Sequence, residues 1–141
     1  MTPSTQVSSE LEMRLIVVGG PSLPVAATVR YAAADPWAVR VVFQTGEHGE
    51  GVEWLFAREL LSTGVDDAAG DGDVQVWSAA ATGAAQLVFL RMASPSGQAL
   101  FEIDRSDLVD FLQQTYAVVP AGAESRAVDL DDELAMLLGD A

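Results

Sequence analysis

The 141-residue sequence has no cysteine, no lysine and a single histidine, and no apolar run in it approaches the ~20 residues needed to cross a bilayer. Without cysteine there can be no disulfide, thiolate nucleophile or cysteine metal site. Without lysine, neither glycine cluster can complete a phosphate-binding loop. The opening stretch from Met1 to Ser9 is polar and has no basic n-region or apolar h-region. A cytoplasmic protein with a flexible N-terminus over residues 1–8 is the expectation. Positive charge is scarce: seven arginines (Arg14, Arg30, Arg40, Arg58, Arg91, Arg105, Arg126), scattered singly, stand against twenty-one carboxylates, for a net charge of -14. Nucleic-acid affinity comes largely from cations displacing condensed counterions, so this balance argues against a nucleic-acid partner and against anionic membranes. The acidic excess either keeps the chain soluble or steers it to a partner with basic patches.

Little here points to chemistry. His48 lies in Gly46-Glu47-His48-Gly49-Glu50-Gly51, whose spacing matches no helical zinc pattern. Asp71-Gly72-Asp73 lacks the ligand ladder and terminal glutamate of a calcium loop. No serine elbow or triad is recognisable, and carboxylate pairs assembled by folding cannot be read from spacing. No catalytic residue, cofactor or metal ligand is therefore assigned, and the expected function is binding.

What is present is mostly alternation. Leu11, Met13, Leu15 and Val17 predict a first strand with one covered face. Val25 to Tyr31 and Trp37 to Phe43 predict two more, joined through Asp35-Pro36. Val52 to Phe56 reads as a short fourth strand. Ala57 to Thr63 reads as a helix, with Trp54, Ala57 and Leu61 on one stripe and Gly64 as a positive-φ end. An acidic linker (Asp66, Asp67, Gly70, Asp71, Gly72) precedes a fifth strand, Asp73 to Ser78. The run Ala84 to Met92 is apolar on both faces, which predicts a central strand or an interface. Ser94-Pro95-Ser96-Gly97 turns it into Ala99 to Ile103. Asp104 is positioned to cap a helix that buries Leu108, Phe111, Leu112 and Thr115, and Asp129 to cap a last helix lined by Leu130, Leu134, Leu137 and Leu138. The expected fold is a single α+β domain over 9–141, with sheet-plus-helix halves at about 9–65 and 73–118 and a C-terminal helix at about 129–139.

Several of these stretches resemble the SsgA-like family of actinobacterial sporulation-specific cell division regulators, most nearly its SsgB type. The likeness is carried by Val52-Glu53-Trp54-Leu55-Phe56-Ala57-Arg58-Glu59-Leu60-Leu61 with Gly64, and by Gly72-Asp73-Val74-Gln75-Val76-Trp77. Tyr31 with Asp35-Pro36-Trp37, Ser94 to Leu100, Phe111-Leu112 with Thr115, and Val119-Pro120 with Gly122 and Glu124 add to it. The ending Asp129-Leu130-Asp131-Asp132-Glu133-Leu134 points to the SsgB type. Ser78, where a proline often follows the tryptophan, and Gln113-Gln114, in place of an often basic pair, depart from the pattern. The resemblance implies two antiparallel sheets with helices in a whirly-like arrangement. It also implies a non-catalytic protein that marks septum sites and recruits the division protein FtsZ with an SsgA paralogue, as a homo-oligomer, a trimer by first expectation. The whirly-like fold carries an alternative, single-stranded nucleic-acid binding, for which Trp37, Trp54 and Trp77 could stack bases, although tryptophans at such positions are more often core. The residues singled out as structural or partner contacts are Trp54, Arg58, Glu59, Trp77, Leu130 and Leu134. For Arg58 and Glu59 the alternatives are a weak surface pair or an arginine anchoring the two halves. For the last helix they are docking on its own domain or a ridge for a partner.

Overall fold

Period-two alternation places Leu11 and Met13, then Ala27, Val29 and Tyr31, then Val39, Val41 and Phe43 on the buried side of three successive strands. The computed structural model of the chain describes residues 5–44, 51–70, 72–78 and 86–137, in the stretch 130–135 by backbone alone. Strands β1 (Gln6–Leu15), β2 (Leu23–Ala32), β3 (Asp35–Gln44) and β4 (Gly51–Ala57) form an antiparallel meander that runs into helix α1 (Arg58–Gly64). Strands β5 (Ala68–Ala69), β6 (Val74–Ser78), β7 (Leu87–Ser94) and β8 (Gly97–Asp104) form a second meander that runs into α2 (Arg105–Val118), and α3 (Glu124–Leu137) follows.

The two expected sheets are one. The strand order is β4-β3-β2-β1-β8-β7-β6-β5, all antiparallel. The joint is narrow, since β1 pairs with β2 from Gln6↔Ala32 to Leu15↔Leu23 but with β8 only through Met13↔Ile103, Arg14↔Glu102 and Leu15↔Phe101. This single sheet curls on itself. Phe43 of β3 and Phe101 of β8 stack at 4.8 Å although β2 and β1 lie between them in the sheet. Helix α2 fills the concave side with Leu108, Phe111, Leu112 and Thr115, the predicted stripe, all buried.

Several boundaries differ from the sequence reading. β1 begins five residues before Leu11, so Gln6–Ser8, assigned to a flexible end, pair with Arg30–Ala32. It ends at Leu15, leaving Val17 39% and Val18 99% exposed. Trp54 belongs to β4, because α1 starts at Arg58. Gly64 does not have positive φ; it is needed because β6 passes close by, and a Cβ there would lie 2.3 Å from Val76 Cγ1. The acidic linker contains β5, followed by Gly70 at positive φ (87°). Asp104 does stand at the start of α2, but its side chain makes no capping bond and pairs instead with Arg14 at 3.3 Å. α3 starts at Glu124, so Asp129 lies inside it and caps nothing. β7 is central, as expected, between β6 and β8. Its Val88, Leu90 and Met92 face the core, while Leu87 and Phe89 on the other face stay half-buried. Ala84, Ala85 and Leu138 lie outside the described residues.

Candidate functional site

Where β4 passes directly into α1, the chain turns Arg58 inward and Glu59 outward. Arg58 is 1% exposed, the largest fully buried side chain. A buried guanidinium is tolerable only with its donors spent, and Arg58 directs three hydrogen bonds to the end of α2 and the start of α3. Its Nη1 donates to the carbonyl oxygens of Thr115 (3.1 Å) and Val119 (2.8 Å), and its Nη2 to Glu124 Oε2 (2.9 Å). The guanidinium lies 4.0 Å from the ring centre of Tyr116 and 4.8 Å from that of Tyr31. Helix α2 has no basic residue in its last turn, and Arg58 supplies from another element the cation that a helix C-terminal end favours, sharing the Thr115 carbonyl with the Val119 N–H. Since Glu124 is the first residue of α3, one side chain ties the first meander, the end of α2 and the start of α3. This is the anchoring role; the surface pair with Glu59 does not form.

Arg105, at the start of α2, does the reciprocal job. Its Nε donates to Val65 O (2.8 Å) just past α1, and its Nη2 pairs with Asp66. α1 and α2 therefore each have the C-terminal end held by an arginine from the other half of the chain. Ser62 and Tyr116 add a hydroxyl–hydroxyl bond at 2.5 Å between α1 and α2.

The electrostatics follow this geometry. Hydrogen bonding to its own amide N–H and then to the Arg58 side chain holds the Glu124 carboxyl below its ordinary 4.5. Burial pushes the Tyr31 hydroxyl up to about 12, and that hydroxyl donates to Pro36 O at 3.0 Å. No buried side-chain polar atom among the described residues lacks a hydrogen-bond partner.

The remaining candidates do not converge on this cluster. Trp54 sits half-buried on the inner face, parallel to Phe56 (6.1 Å, 12°), at a crevice of about 310 Å³ lined by Phe43, Val52, Met92 and Phe101. Trp77 stacks on Phe89, its register partner, across β6 and β7 at 5.6 Å. Trp37, expected in the core, is 54% exposed. The three indoles lie on separate strands and form no shared platform. Leu130 and Leu134 fall on α3, at positions whose side chains lie outside the described residues, while Met136 and Leu137 near its end are each 80% exposed. Glu47, His48 and Glu50 lie outside the described residues. Among those described, no three His, Cys, Asp or Glu side chains are grouped to hold a metal, and no helix is long and apolar enough to cross a membrane. Sequence reasoning did not connect Tyr31, Tyr116 and Glu124 to Arg58, although Tyr31 and Glu124 lie in stretches that carried the family resemblance.

Comparison with known proteins places this geometry. The family model described as Streptomyces sporulation and cell division protein, SsgA, matches residues 25–124. The sporulation-specific cell division protein SsgB of Frankia casuarinae is 56% identical over 132 residues, 94% of this chain and 91% of the relative. The SsgB of Streptomyces coelicolor is 46% identical over 137 residues, 97% of this chain and 98% of the relative. Two solved structures superpose on the fold. One, from work relating mutations in SsgB to longitudinal cell division during sporulation of Streptomyces coelicolor, has a TM-score of 0.80 at 46% identity, covering 87% of this chain and 95% of the other. The other, an SsgA-like sporulation-specific cell division protein from Thermobifida fusca, has a TM-score of 0.84 at 38% identity, covering 96% and 98%. An α+β chain clamped around a buried arginine from its most diagnostic motif, alike over nearly its whole length to proteins named SsgB, belongs to the SsgA-like family of sporulation and cell division proteins and is most similar to its SsgB members.

Proposed function

We propose that this chain is a non-catalytic cell division regulator that marks septum sites during sporulation and recruits FtsZ there, together with an SsgA paralogue. The observation that carries this reading is the end-to-end likeness to proteins named SsgB in both sequence and fold. The interior supports it: the buried polar cluster at Arg58 spends its donors on carbonyls and a carboxylate that hold the helices in place, so its role is architectural. Action would then lie on the surface. The half-exposed outer face of β7, with Leu87 and Phe89, suits self-association, and a closed trimer is the proposed state. Single-stranded nucleic-acid binding finds less support, because the tryptophans are not gathered and the net charge is -14. The reading is tested in the native host. Deleting the gene should leave fluorescent FtsZ without regular ladders in sporulating hyphae, and restoring it should bring them back. Normal ladders in the deletion strain would refute the proposal.

A further inference from the structure

On the outer face of the first meander, strand register lines up one transverse row. Ser8 is opposite Arg30, Arg30 opposite Arg40, and Arg40 opposite Leu55. All four are exposed, Leu55 to 54%. In a chain with only seven cations, two of them face each other directly across β2 and β3, where like charges cost stability. Arg40 is compensated by Glu53 at 3.2 Å, both side chains half exposed, whereas Arg30 makes no ion pair among the described residues. Beside the row the β2–β3 register shifts between Arg30 and Ala32. Such irregularities bend a strand and re-aim its side chains. The row lies in a depression of about 510 Å³ that also borders Gln6 and Asp35.

We propose that this row is a docking surface for a short acidic segment of another polypeptide, its carboxylates bridging Arg30 and Arg40 and an apolar side chain resting against Leu55. A carboxylate between the two guanidiniums would cancel their mutual repulsion and accept paired hydrogen bonds from them. The charge of the whole chain narrows the occupant. A long polyanion such as nucleic acid meets repulsion over its full extent. A short segment seated in the row meets Arg30, which makes no ion pair among the described residues, and Arg40, which it would share with Glu53, with Asp35 at the border of the depression; carboxylates farther off are screened beyond about 8 Å at physiological salt. The inference rests on the protein-contact reading above only in taking the occupant to be a polypeptide; it does not require that polypeptide to be FtsZ.

The test titrates isotope-labelled full-length chain with the capped peptide Asp-Glu-Phe-Asp-Glu and, separately, with its uncharged counterpart Asn-Gln-Phe-Asn-Gln. The acidic peptide should move the amide signals around Ser8, Arg30, Arg40 and Leu55, with affinity weakened about tenfold for the uncharged peptide and for Arg30→Glu. Arg30→Glu should melt no lower than the parent, since it replaces the opposed cation with a partner for Arg40. Absent shifts, equal shifts from both peptides, or a variant that binds like the parent would overturn the proposal. So would concentration-dependent shifts in the row without peptide, which would make a second copy the occupant. Because the titration contains no FtsZ, a failure to bind FtsZ counts against the reading above and is scored independently of this result.

Discussion

Arg58→Met should lower the unfolding free energy by about 3–5 kcal/mol, the cost of breaking a buried charged cluster by removing one member. For a domain of this size that is a melting-point drop of roughly 10–20 °C. Methionine keeps most of the side-chain volume, so the loss comes from what Arg58 bonds: the Val119 carbonyl loses the guanidinium, the Thr115 carbonyl is left with the Val119 N–H alone, Glu124 loses its partner and two tyrosine rings lose a cation. Arg58→Lys should recover little, because an ammonium cannot lie flat between the rings while reaching two carbonyls and a carboxylate. The pH dependence gives a second signature. A carboxyl held below its unfolded value of 4.5 stabilises the fold above that value, and the contribution disappears as pH falls through the lower folded value. The parent should therefore lose the Glu124 contribution in acid below about pH 4.5, and Arg58→Met should show a flatter acid limb. Urea midpoints across pH measure both effects. A variant within about 1 kcal/mol of the parent would show that the cluster is not the anchor.

Gly64→Ala should also destabilise, by about 1–3 kcal/mol, against the sign expected from helix propensity. Alanine in place of glycine within a helix ordinarily gains about 1 kcal/mol. Here the added methyl would sit 2.3 Å from Val76 Cγ1 and 2.6 Å from its Cβ, with Val76 fully buried in β6. Either α1 lifts from β6 or Val76 is pushed into a packed core. Val76→Ala removes the nearest atom, Cγ1, but leaves the Cβ at 2.6 Å, so the clash is relieved only in part and the double variant should be more stable than the sum of the single losses by about 0.5–1 kcal/mol. Additive losses in chemical denaturation would contradict the close approach.

These two residues show how far the sequence could be read. The alternation of Val25 to Tyr31 and Trp37 to Phe43 and the stripe of Leu108, Phe111, Leu112 and Thr115 are local signals, and the strands and helix they predict are present. The union of the meanders is not local. It depends on three residue pairs between β1 and β8, separated by nearly ninety positions, and the same alternation would serve two sheets equally well. Gly64 invited a turn reading because nothing in its neighbours reveals that β6 will pass within contact. α3 starts at Glu124 and not at the more cap-like Asp129, where Arg58 holds the glutamate in place, a tertiary contact outweighing a local preference. Arg58 itself was visible in the strongest motif. Its anchoring role stood only as one of two alternatives, because nothing local reveals that the change from strand to helix at that point sends it and Glu59 in opposite directions. The row from Ser8 to Leu55 exists only once register is known.

The proposed role is tested most directly by sedimentation velocity of the purified full-length chain with purified FtsZ from the same cell. The account predicts that FtsZ shifts the chain into a faster-sedimenting complex, that the chain alone sediments above monomer mass, and that no added nucleotide-hydrolysing or other catalytic activity accompanies it. A chain that sediments unchanged beside FtsZ, at concentrations where FtsZ itself is assembled, would contradict the account.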